Sequence, residues 1–365
     1  MATAELLSTH DTLARYRGVQ ERACMHRTSL CPTACGHAVA WAMFDIETYL
    51  AFEKRGEYGD EKGATFALQT RPADQVGHVA SALDVLETLT VGDRVRLAWL
   101  HEYVTEQGSS FPTRRVVRIE KIKDDSVEEA VANIVLRGTT QSTLLSACEF
   151  FLAWQGVLVL AFSGWPPSLA SLKKELNALP LLPAENAGSR WPKATLAATV
   201  DDAPPLTTAE LSSLRDLCAQ HAERLRHAGN DALVPVDGLS IVRYTQRGLE
   251  PAGAPIIRDL ALASPRDDTA PSAEESARVM TTLNEWNGDA LSGYLAGANR
   301  AGSRVSSYRG GSPHGVTLVA FARLRESALA ALIRNFQRDV DATLPGRFAW
   351  LDEESLHITL RGLIW

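Results

Sequence analysis

Cysteine is scarce and odd in number, five residues in 365. That excludes a disulfide framework, in which an even set staples a short chain. Long apolar runs are missing too. The longest, Phe150 to Phe162, is broken by Gln155 and Gly156 and falls short of the roughly 20 residues that cross a bilayer. Met1 to Leu13 carries Glu5 and Asp11 and lacks a basic-then-apolar leader pattern, so the cytosol is the expected compartment, with no membrane as partner. Positive charge is not in excess: 37 Lys and Arg against 44 Asp and Glu leave a formal charge of -7. A dedicated polyanion-binding surface is therefore not expected, although a local basic cleft is compatible with that balance. A P-loop, a dinucleotide-binding glycine pattern and a Gly-x-Ser-x-Gly elbow are all lacking, which ranks those enzyme classes low.

What is present is an ordinary globular composition, 45% hydrophobic and 22% charged, long enough for two domains. Residues 1–20 read as a short amphipathic helix or an arm. Residues 21–150 carry strand-like stretches at 39–53, 65–70, 94–103 and 115–122 around a helical 79–89, giving a small β-rich, barrel-like α+β domain. Within it Cys31-Pro-Thr-Ala-Cys35-Gly-His37 sets three zinc-type ligands at close spacing. A structural zinc on Cys31, Cys35 and His37, with a fourth ligand from His101, Cys24 or His26, is one reading. Reduced thiols beside a surface histidine is the other. Asp124 to Glu129 reads as a charged spacer, and the domain boundary is expected near residue 150.

Residues 151–365 contain one pattern twice. An apolar strand (157–162), a helix opened by Pro166-Pro167 and a loop lead to Lys193-Ala-Thr195-Leu. A second apolar strand (316–321), a helix (326–344) and a turn lead to His357-Ile-Thr359-Leu. In each motif the apolar residues alternate with the polar pair, so His357 and Thr359 share one strand face, about 7 Å apart. The repetition reads as a degenerate internal duplication. Tyr308, Arg309 and Arg361 are further candidates to meet an anion. His314 and Thr317, spaced H-x-x-T, fall on opposite strand faces and are not counted as a third motif.

The Leu356-His357-Ile358-Thr359-Leu360 motif, its Lys193-x-Thr195 counterpart and the strand–helix–loop frame resemble the 2H phosphoesterase superfamily. The resemblance covers about residues 150–365. It implies an α+β, two-lobed domain of antiparallel sheets with flanking helices, whose paired H-x-T strands floor one cleft and work without metal. The implied activity is that of a phosphodiesterase or cyclic phosphodiesterase, a hydrolase acting on a nucleotide or RNA-terminal phosphate. His357 and Lys193 would be catalytic, with Thr195 and Thr359 binding substrate. Two departures stand out: Lys193 replaces a family histidine, and the motif separation exceeds the usual one. The alternative is a phosphate-binding module without turnover, joined to an interaction or zinc-binding domain. The stretches 30–37, 49–60 and 101–105 resemble an uncharacterised eukaryotic module, which implies no activity. No protein partner is implied.

Overall fold

Ser8, His10 and Thr12 alternate along the chain and are all buried, in a strand that runs from Thr3 to Arg22. Residues 3–20, within the stretch read from sequence as a short helix or an arm, are thus strand. Over residues 8–12 the inward face of this strand is polar, so its period-2 signal there is invisible to a hydrophobicity reading. Most of these buried polar atoms have local partners, His10 Nδ1 being the exception. Thr12 donates to the Leu97 carbonyl at 2.9 Å, Ser8 Oγ lies 2.9 Å from His10 Nε2, and the His10 ring stacks on Trp99 at 4.4 Å. Burial drives the His10 pKa down to about 4, so the stacked ring is neutral at neutral pH.

The computed structural model describes residues 3–22, 39–71, 84–106, 109–122, 124–137, 139–250, 256–288, 291–300, 304–310, 315–324 and 327–364. The proposed zinc ligands Cys31, Cys35 and His37 lie outside the described residues. Among the described residues no helix is long and apolar enough to cross a membrane, and no group of His, Cys, Asp or Glu side chains is placed to hold a metal ion. His101, one candidate fourth ligand, is buried and accepts the Asp60 amide on Nδ1 at 3.2 Å.

The chain forms two compact units, Met1–Val127 and Glu128–Trp365. The boundary falls before the one expected near 150. Residues 124–129 open a helix, Asp124–Val135, and the strand after it belongs to the second unit. The first unit is a five-stranded antiparallel sheet ordered β3 (Thr65–Arg71), β2 (Val39–Lys54), β1 (Thr3–Arg22), β4 (Arg94–Glu106), β5 (Ser109–Lys121). Three register shifts between β1 and β2 curl it, as bulges do, around a core that includes Phe44, Leu97 and Trp99.

The second unit is an α+β domain on one ten-stranded, curled sheet. Its centre reads β10 (Gly238–Tyr244), β13 (Gly315–Phe321), β15 (His357–Ile364), β8 (Lys193–Thr199), β7 (Val157–Phe162), β6 (Gln141–Ala153). The order mirrors itself about the β15–β8 pair. Each half is an edge-side strand, an apolar strand, a crossing helix (Pro167–Asn177 or Ala328–Thr343) and a motif strand. Residues 256–267 add β11 (Ile256–Ala261) and β12 (Ala263–Asp267) at the flanks.

Helices cover this sheet because their apolar stripes need a partner. The Thr208–Ala228 helix starts on a capping box between Thr207 and Glu210. Phe336, fully buried, stacks on Phe150 of β6 at 4.3 Å. Phe336→Ala is expected to destabilise the second unit by about 3–5 kcal/mol, read as a lower urea midpoint. A loss under about 1 kcal/mol would mean that the helix–sheet packing described is not what holds this unit.

Candidate functional site

Both motif strands carry the same irregularity at the same place. In the first half Ala161, Leu160 and Val159 face Lys193, Ala194 and Thr195, and the register then slips past Leu196 so that Leu158 faces Ala197. In the second, Phe321, Ala320 and Val319 face His357, Ile358 and Thr359, and the register slips past Leu360 so that Leu318 faces Arg361. A one-residue bulge of this kind re-aims the side chains beyond it. The two halves are thus equivalent in register as well as in strand order.

The halves meet where β8 pairs antiparallel with β15, with Ala194 opposite Ile358. That register sets Thr195 across from His357 and Lys193 across from Thr359. Ala194 and Ile358 point into the core, so the four polar side chains share the opposite face. They line one pocket of about 190 Å³. The two motifs, 164 residues apart, come together at a single pocket.

His357 is fixed by its neighbours. Its Nδ1 lies 2.8 Å from the Ser355 carbonyl oxygen. A carbonyl can only accept, so Nδ1 carries the proton and Nε2 keeps a lone pair. Burial lowers the His357 pKa, opposed by the hydrogen bond to Ser355. The ring is therefore neutral at neutral pH, with its basic nitrogen unprotonated. Lys193 donates to the Gly188 carbonyl and holds its ammonium 4.3 Å from the Trp191 ring centroid. Burial in the first place, and the positive charge of Lys173 in the second, lower its pKa to about 8. At neutral pH it is a cation whose proton is unusually easy to give up.

Further groups complete the wall. Tyr308, expected from the sequence, lines the pocket and lies under the Arg247 guanidinium at 5.1 Å. Arg247 lines the pocket too and has no carboxylate partner among the described residues. Tyr244 closes one end, its phenol pKa pushed up by burial with Arg247 opposing, so it remains a donor. Thr317 lines the pocket from β13 while its hydroxyl donates to the Arg361 carbonyl at 3.1 Å. Arg247, Tyr244 and Thr317 were not singled out as binding residues from the sequence. They reach the site through pairing of β10 with β13, which no local motif announces.

Comparison with family models, curated proteins and solved structures finds no match to this chain.

Two expected anion ligands lie elsewhere. Arg361 is 1% exposed, turned off the pocket face by the bulge at Leu360. Its guanidinium donates to the carbonyls of Pro183 and Gly362. Arg309 is held by Glu250 in a two-pronged ion pair at 2.6 and 2.8 Å and donates to the Trp350 carbonyl at 2.8 Å. Arg309 therefore braces the Val305–Arg309 helix against the chain before the motif strand. Tyr308, its neighbour, is the residue that faces the pocket.

Proposed function

We propose that the second unit is a metal-independent phosphodiesterase that opens cyclic phosphates on a nucleotide or an RNA terminus. The observation that carries this reading is the convergence of Lys193, Thr195, His357 and Thr359 on one face of the β8–β15 pair. The chemistry needs a base on water, an acid on the leaving oxygen and donors for the charge that builds on phosphorus-bound oxygens. His357 Nε2 takes a proton from water as its oxygen bonds to phosphorus. The bond from phosphorus to one ribose oxygen breaks, and that oxygen takes a proton from the Lys193 ammonium. One water is consumed and a phosphate monoester leaves. Solvent exchange then returns a proton to Lys193 and removes one from His357. Thr195, Thr359 and Arg247 bind the non-bridging oxygens, and the cation–carboxylate contrast is absent because no carboxylate lines the pocket among the described residues.

A second reading is favoured by one detail. The Lys193 ammonium already donates to Gly188 and rests on Trp191, an arrangement that suits a fixed cation that binds phosphate without turning it over. Phosphorus NMR on a nucleoside 2′,3′-cyclic phosphate incubated with the protein in excess chelator separates the two. The enzyme reading expects the cyclic resonance to be replaced by one monoester resonance at an unchanged rate with chelator. A cyclic resonance that broadens or shifts but never converts would leave only the binding reading.

A further inference from the structure

The pocket is too small for the substrate it is read as taking. At about 190 Å³ it lies below the roughly 300–1,000 Å³ typical of sites that enclose a whole small molecule. It holds a phosphate and little more. A second cavity, about 910 Å³, lies across one ridge of the chain. Residues 185–193 form that ridge. Asn186, Gly188 and Lys193 face the phosphate pocket, whereas Glu185, Arg190 and Trp191 face the larger cleft. The Lys193 ammonium, which lines the first cavity, lies 4.3 Å from the ring centroid of Trp191, which lines the second.

The cleft is a trough between two helices. Ser171, Lys174 and Asn177 project from Pro167–Asn177, and Glu274, Arg278 and Thr281 from Ala273–Asn287. The second helix belongs to the long segment between β10 and β13, for which the first half of the sheet has no counterpart. Most charges in the trough are matched. Arg278 pairs with Glu274 and Glu275 at 2.6 and 3.0 Å, and Lys173 with Glu185 at 2.6 Å. Lys174 and Arg190 have no carboxylate partner among the described residues, and both are exposed. Two unmatched cations, spaced beyond a half-buried tryptophan, suit a chain of phosphates with bases that stack.

We propose that the substrate is a single-stranded oligonucleotide end rather than a free cyclic nucleotide, which rests on the phosphodiesterase reading above. The terminal phosphate sits between Lys193 and His357. The adjoining nucleotide crosses the ridge against Trp191, and the next phosphates run along the trough past Arg190 and Lys174. Duplex is excluded by this path, because the strand must leave its partner to cross the ridge.

The test compares a tetranucleotide and a mononucleotide that share the same 2′,3′-cyclic end, on wild-type protein and on Lys174→Ala/Arg190→Ala. The tetranucleotide is expected to show kcat/KM about tenfold or more above the mononucleotide, on the scale of a charged contact. The double variant should lose that advantage while its mononucleotide kcat/KM stays at the wild-type level. Equal kcat/KM for the two substrates, or an advantage that survives in the variant, would overturn the proposal. Should neither substrate be turned over, the phosphodiesterase reading falls and anisotropy of the labelled tetranucleotide decides this one. Binding with a slope of log affinity against log salt of about -2.1, as three single-strand phosphate contacts require, that falls to about -0.7 in the double variant would keep the strand path. Binding that the variant leaves unchanged, or no binding, would remove it.

Discussion

His357→Ala is expected to lower kcat for cyclic phosphate opening by about 10²–10⁴-fold, the range for a positioned general base. Among the described residues the ring hydrogen-bonds only to the Ser355 carbonyl, and its strand is held by backbone pairing to β13 and β8, so the fold should persist. Circular dichroism and the melting temperature should match wild type, and phosphate should still bind through Lys193 and Arg247. A loss of activity smaller than about tenfold would mean that another group takes the proton from water.

The second large effect concerns Lys193 and is read from pH dependence. His357 must be neutral to act as base, and its pKa is lowered by burial. The rising limb of kcat/KM should therefore lie below the ordinary histidine value of about 6.5. Lys193 must keep its proton to act as acid, and its pKa is about 8, so activity should fall as pH rises through that value. Lys193→Arg keeps the cation but not a proton that can be given up at this pH. It should leave KM near wild type and reduce kcat by about 10²–10⁴-fold. Lys193→His should restore turnover and bring the falling limb down towards the histidine range. A falling limb that stays near pH 8 in Lys193→His would assign that limb to a different group.

Much of the central geometry was legible in the sequence because it depends on short-range alternation. The His357-Ile-Thr359 strand announces its two faces by itself, and Lys193-Ala-Thr195 is found by its likeness to it. That the two strands are neighbours follows from the mirrored halves. What escaped the sequence depends on single-residue or long-range effects. Arg361 follows His357 and Thr359 at even spacing, yet the bulge at Leu360 turns it inward. The β1 strand hides its period because three successive inward positions, Ser8, His10 and Thr12, are polar. The unit boundary was displaced because β6, an unremarkable strand by sequence, is the partner of β7. Tyr244 and Arg247 belong to no motif and are delivered by a strand pairing across about 70 residues of chain.

The central claim is that the two motifs share one phosphate. A crystal structure of the second unit within the full chain, soaked with inorganic phosphate, tests it directly. The account predicts one phosphate within hydrogen-bond reach of Lys193 Nζ, His357 Nε2 and the hydroxyls of Thr195 and Thr359, with Arg247 turned towards it. A phosphate bound elsewhere with this pocket empty, or Lys193 and His357 on opposite faces of the β8–β15 pair, would contradict it.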